Sequence, residues 1–271
     1  MGYGSSVTIG FTAPPTVPPQ EAEVARVVEM ARKQVDTALG TSTPVATPAV
    51  AHNYMSLGAR IEHTALSPTA QQSDITQLCQ EAAANRFAAV CVNPLWVAHA
   101  AGHLTDTDVA VATVVGFPLG ANLPEVKAAE AQAAVRDGAT ELDMVADIAA
   151  ITGNDLHRLH HDIRTVVEAV TPTPVKVILE TGHLTPQQIA TASLIAQRAG
   201  AAYVKTSTGF GPGGATPTDI AIMRAAVGPH MGIKASGGIR DRDTAERLIT
   251  AGADRLGTSA SLTITAPRPP R

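Results

Sequence analysis

The chain has 271 residues, of which 45% are hydrophobic, 16% charged and 3% aromatic, with a formal net charge of −4. This is a soluble globular composition, long enough for one large barrel or two ordinary domains. The charge gives no electrostatic reason to expect nucleic acid as a partner. No apolar run approaches the roughly 18 residues a membrane span needs, and no basic-then-apolar leader opens the chain, so no membrane association and a cytoplasmic location are expected.

Residues 1–19 hold four prolines with Gly, Ser and Thr and cannot bury enough apolar surface to fold alone, so a flexible tail is expected there. Residues 21–40 place Val24, Val27, Val28, Ala31 and Val35 at helical spacing opposite charged residues, with Gly40 as a stop. The predicted organisation is therefore a tail over 1–19, a helix and Pro/Thr/Ala linker over 20–52, and a folded unit over 53–271.

From residue 59 a unit repeats: a short β-branched run, a Gly/Pro/Asn/Thr loop, then an Ala-rich helical segment. The runs span 59–66, 87–93, 109–118, 140–147, 175–181, 202–208, 231–238 and 254–260. Helices are predicted over 124–137, 155–170, 186–199 and 241–251, several ending on a glycine before the next strand. Each parallel strand needs a crossover of a dozen or more residues, and eight such units at a mean spacing of about 28 residues predict an α/β chain, a (β/α)8 TIM barrel with an N-terminal helical extension. A doubly wound open sheet is the alternative, but no reversal point is visible. The two cysteines carry no metal-clip or disulfide spacing. Cys79 reads as helix packing; Cys91 either packs in the core, the favoured reading, or lines a pocket.

Lys205 and Lys234 stand out, each inside a short apolar run that ends in glycines, YVKTSTGFGPGG and GIKASGGI. Burying two lysines on neighbouring strands costs desolvation unless the charge is used. A free ammonium, with a pKa near 10.4, has no lone pair for a carbonyl at neutral pH. A second ammonium about 6 Å away raises the energy of the charged form by roughly 3 kcal/mol, and desolvation acts in the same sense, toward the range of about 7 to 8 in which lysine forms Schiff bases. Period-2 alternation puts Lys205 with Ser207, Lys234 with Ser236, and Asp143 with Glu141 and Val145 on inward faces, so Lys205, Lys234 and Asp143 can meet inside the barrel. A buried ion pair that merely fills the barrel is the competing explanation. Glycine-rich loops after the sixth, seventh and eighth runs let backbone N–H groups approach an anion, which points to a phosphorylated ligand. GFGPGG lacks the spacing of a dinucleotide fingerprint.

Taken in order, IEHTAL, CVNP, TVVGFPLG, ELDMV, VKVILETG, KTSTGFGPGGAT, KASGGIR and RLGTSA resemble the deoxyribose-phosphate aldolases, class I Schiff-base enzymes on a TIM barrel. The resemblance covers roughly residues 60–262. It implies that Lys205 forms the Schiff base, that Lys234 lowers its pKa, and that Asp143 relays protons. The implied reaction is reversible cleavage of 2-deoxy-D-ribose 5-phosphate to D-glyceraldehyde 3-phosphate and acetaldehyde. No metal or other cofactor is implied, because the iminium is the electron sink. Implied substrate and phosphate contacts are Gly209, Gly237, Gly238, Gly257, Ser259, Thr206, Cys91 and Glu62, and a homodimer is expected.

The chain departs from the family pattern at Glu62, where Asp is usual, and at Ser67, where Lys or Asn is common. Ala260 replaces a second serine, which removes one phosphate hydrogen bond, and Asp147 replaces a frequent Asn. His157, His160 and His161 share one stretch of helix but have no companion that completes a metal site, so an exposed polar face is the expected reading. Lys176 fits an inward supporting charge and an outer-layer position equally. Trp96 and Phe117 read as packing. Two rival functions stay open: a Schiff-base aldolase for another phosphorylated substrate, and a sugar-phosphate-binding barrel without turnover.

Overall fold

Each β-branched run becomes a parallel strand, and each Ala-rich segment becomes the helix that covers it. The structure, a computed structural model, describes residues 19–41 and 56–267. The strands are β1 (Ile61–Ala65), β2 (Ala89–Val92), β3 (Ala110–Val115), β4 (Glu141–Val145), β5 (Val175–Ile178), β6 (Tyr203–Lys205), β7 (Gly232–Ser236) and β8 (Arg255–Thr258). They close in sequence order, with β8 pairing back onto β1, so the barrel expectation holds and the open sheet is excluded.

The helices are α1 (Pro19–Leu39), α2 (Gln72–Asn85), α3 (Val97–Leu104), α4 (Pro124–Arg136), α5 (Ile148–Thr152), α6 (Leu156–Val170), α7 (Pro186–Arg198), α8 (Pro217–Val227), α9 (Arg242–Thr250) and α10 (Ser261–Thr265). Proline opens α4, α7 and α8, where its fixed φ suits the first turn and its missing N–H is no loss. Thr185 and Thr216 cap α7 and α8 by accepting from the backbone N–H three residues on.

Strand alternation separates two environments. Outward residues such as Val90, Leu142, Val177, Val204 and Ile233 join the helices in one continuous apolar layer. Inward residues divide the lumen between a small apolar cluster of Leu66, Cys91, Ala112 and Val114 and a set of ionised side chains. The same outer layer receives α1, whose Val27, Val28, Ala31 and Val35 are buried and which lies against α7 and α8. Asp36 pairs with Arg198 of α7, and Gln34 bonds Asn154 and accepts from Thr191 at 3.2 Å. The extension is thus part of the barrel's outer wall. The expected tail lies outside the described residues apart from Pro19, as do residues 42–55, which include most of the linker expected to run to residue 52.

Candidate active site

Barrel register fixes who meets whom. Lys205 and Lys234 are direct partners across β6 and β7, and Asp143 is the partner of Lys176 across β4 and β5. Asp143 Oδ2 accepts from both Lys205 Nζ and Lys234 Nζ at 2.6 Å, while its Oδ1 accepts from Lys176 Nζ at 3.0 Å. Two ammonium nitrogens on one oxygen can be no farther apart than twice that distance, so the lysines converge as the alternation predicted. Glu62 pairs with Lys234 and lies 3.3 Å from Lys176, and Glu141 lies 2.6 Å from Lys176. Three lysines and three carboxylates therefore pair with one another almost wholly out of solvent, Glu141 being 12% exposed, the condition under which buried ions are tolerated.

The two central lysines are not equivalent. Burial drives the Lys205 ammonium below its ordinary range; Asp143 opposes this and Lys234 adds to it. Burial would lower Lys234 too, but Asp143 and Glu62 outweigh it and hold that ammonium charged. Glu62 makes the difference, since it pairs with Lys234 and has no bond to Lys205. Burial works against ionisation of Asp143, yet Lys176, Lys205 and Lys234 together hold it well below the usual carboxylate range. Burial is thus the leading reason for the lowered Lys205, with the neighbouring cation second.

Above this cluster, at the carboxyl ends of the strands, a cavity of about 540 Å³ opens. Lys205 is the barrel lysine on its wall; Lys176 and Lys234 lie beneath. Gly209, Gly237, Gly238, Gly257 and Ser259 line it, together with Thr208 and Arg240. Gly237 and Gly238 hold φ of +87° and +76°, conformations that side chains resist, so the turn after β7 depends on glycine. Gly257 serves by its size: a Cβ there would lie 2.9 Å from Lys234 Cε, in the path by which that side chain reaches Asp143. Phe210, more than half exposed, packs edge-on against Phe117 with ring centroids 5.4 Å apart and forms the apolar rim.

A family profile for the DeoC/LacD family aldolases matches residues 59–262, nearly the whole barrel. The chain belongs to the DeoC/LacD aldolase family. Curated members named deoxyribose-phosphate aldolase from Exiguobacterium sp. and Bacillus subtilis are 53% and 52% identical to it over 211 residues, covering 78% of this chain and 96% and 95% of theirs. The solved deoxyribose phosphate aldolase of Aeropyrum pernix, a tetramer, superposes with a TM-score of 0.72 at 32% identity, covering 89% of this chain and 96% of its own.

Three residues expected at the substrate do not line the cavity of this DeoC/LacD aldolase. Thr206 spends its hydroxyl on β7, donating to Ser236 O at 2.9 Å and accepting from Ser236 N at 3.0 Å. Cys91 sits in the apolar half of the lumen, its thiol pKa raised by burial, so packing prevails. Glu62, expected near the substrate hydroxyls, is fully buried below the cavity floor, where its longer side chain reaches both Lys234 and Lys176. Of the other departures, Ser67 is on the cavity wall, bonded to Thr69 at 2.9 Å. Asp147 caps α5 at Ala150 N and pairs with Arg158, away from the cavity. Along α6, His157 and His161 are exposed and His160 is half-buried.

Sequence reasoning left Lys176 undecided; it is inward and central. It also passed over Glu180, whose carboxylate accepts from Thr208 N and, at 2.5 Å, from Thr208 Oγ1, fixing the loop after β6. The signal was present, since a charged residue closing the apolar run VKVIL is costly unless it is used.

Proposed function

We propose that this chain cleaves 2-deoxy-D-ribose 5-phosphate reversibly to D-glyceraldehyde 3-phosphate and acetaldehyde, with Lys205 as the amine that carries the substrate. The observation that carries this reading is that Lys205 is the cluster's one lysine on the cavity wall and its pKa is lowered, whereas Lys234 beneath it stays charged. Neutral Lys205 adds to the C1 aldehyde, and the carbinolamine loses water to give a protonated imine. As the C3 hydroxyl gives up its proton, the C3 carbonyl forms and the electrons of the C2–C3 bond pass into the iminium. Glyceraldehyde 3-phosphate leaves, and an enamine remains on Lys205. Protonation at C2 and hydrolysis of the resulting imine release acetaldehyde and restore the amine.

Asp143 and Lys234 handle the protons in this scheme. Asp143, ionised at rest, takes the C3 hydroxyl proton as the bond breaks; its depressed pKa makes it give that proton up readily to C2 of the enamine, while the charged Lys234 beside it holds the carboxylate in place. The phosphate is received by the loops carrying Gly209, Gly237, Gly238, Gly257 and Ser259, with the Arg240 guanidinium on the same wall. The catalytic unit in this reading is residues 53–271, with 20–52 as helix and linker; the protein works in the cytoplasm as a homodimer, which light scattering would read. Among the described residues no helix is long and apolar enough to cross a membrane.

Acetaldehyde with borohydride tests the chemistry. Reduction of the imine is expected to leave an N-ethyl group on Lys205, located by peptide mass spectrometry and absent from Lys205→Ala. A barrel that binds sugar phosphate without turnover gives no adduct. An aldolase for another substrate is revealed if dihydroxyacetone phosphate replaces acetaldehyde as donor.

A further inference from the structure

A hydrogen-bonded chain that the carbon chemistry does not use lies behind the cavity loops. Because β1 alternates, His63 between the inward Glu62 and Thr64 points out of the barrel into the layer under α2. Its Nε2 meets Glu81 Oε2 at 2.8 Å and its Nδ1 meets the Ser261 hydroxyl at 2.8 Å. The other Glu81 oxygen accepts from the Gln77 amide at 2.7 Å, and the imidazole packs edge-on against Phe87. Ser261 opens α10, and its Oγ also lies 3.2 Å from the Thr258 carbonyl. Thr258 continues the path: its Oγ1 donates to Ile239 O at 2.7 Å and accepts from Ala260 N at 2.9 Å. Thr258 stands between Gly257 and Ser259, and Ile239 follows Gly238, so the chain ends on both loops of the cavity wall.

Packing alone does not account for this arrangement. His63 and Ser261 are 5% and 0% exposed, and an apolar pair would fill the same space without the cost of desolvating polar groups. A carboxylate at Nε2 fixes a proton on that nitrogen and so orients the ring, leaving Nδ1 to accept the single Ser261 hydroxyl proton, which the Thr258 carbonyl at 3.2 Å shares as the more distant acceptor. We propose that Glu81, His63 and Ser261 form an outer strut that sets the positions of the loops after β7 and β8, making His63 and Ser261 positioning residues for the substrate phosphate. The proposal rests on the phosphate placement given above, and it assigns the strut no part in imine chemistry.

The test compares two substrates in the full chain: 2-deoxyribose 5-phosphate, and 2-deoxyribose, which offers the same aldehyde without the phosphate. Ser261→Ala removes one oxygen from a buried site, and Glu81→Gln removes the charge that orients His63. In each, the ratio of kcat/KM for the phosphorylated over the unphosphorylated substrate is expected to fall about tenfold, the weight of one hydrogen bond. The fall is expected in KM for the phosphorylated substrate, with kcat held. An unchanged ratio, whether both substrates suffer equally or neither does, overturns the proposal. Inorganic phosphate binding, measured by calorimetry on wild type and Ser261→Ala, keeps the two readings distinguishable. If wild type gives no borohydride adduct, the aldolase reading fails, and a strut that still weakens phosphate binding when cut survives it.

Discussion

Replacing Lys234 with Met removes one charge from the cluster and keeps most of the side chain's length. Lys205 and Lys234 each stand 2.6 Å from the same Asp143 oxygen, which puts their nitrogens no more than about 5 Å apart. At that distance, with an effective dielectric near 20, the repulsion is about 3 kcal/mol, a factor of ~10² in the neutral fraction of Lys205. The sign follows from the direction of the shift. Lys234 helps lower the Lys205 pKa, so its loss raises that pKa and a higher pH is needed to free the amine. In Lys234→Met, kcat/KM at pH 7 is expected to fall about a hundredfold, and the deficit to shrink as pH rises toward about 10. The assay is kcat/KM against pH for both proteins, with thermal melts to confirm that the variant folds; Glu62 retains Lys176 as a partner. If kcat/KM falls by the same factor at every pH, so that the acid limb stays in place, Lys234 does not set the charge of Lys205.

Acidification provides a further check. The Asp143 and Glu62 carboxyls are depressed in the folded state although burial opposes it, so their contribution is present above the unfolded carboxylate range and is lost as pH falls through the folded values. The denaturant midpoint is expected to drop steeply below about pH 4, and Asp143→Asn to flatten that drop. Gly120→Ala tests the packing of the loop after β3: a Cβ there would lie 2.1 Å from Ala146 O, at φ +68°. It is expected to cost at least about 2 kcal/mol in denaturant unfolding, and an unchanged midpoint would contradict the contact.

The barrel was legible because its signal is periodic and local. Runs at 175–181 and 202–208 contain the observed β5 and β6, and the helices predicted over 124–137 and 186–199 differ from the observed bounds by a single residue at one end. The inward parity of Lys205, Lys234 and Asp143 followed from alternation alone, and glycines after β6, β7 and β8 marked the cavity loops. Height within the lumen was not legible. Glu62 and Thr64 share the inward face of β1, yet Glu62 is sealed beneath the cavity and Thr64 lines it. Thr206 reads like a site residue in KTSTG, but it follows the last residue of β6 and its hydroxyl ties that segment to β7.

Residue order was enough to locate the strands, their inward faces and the turns that need glycine, because those properties depend on neighbours within a few positions. Only the closed barrel brings Lys176 into the cluster, seals Glu62 beneath the cavity and carries His63 to Ser261, 198 positions away. Those outcomes depend on the stagger of closed strands and on the stacking of helices outside them. That geometry links residues distant along the chain and leaves no local trace in their order.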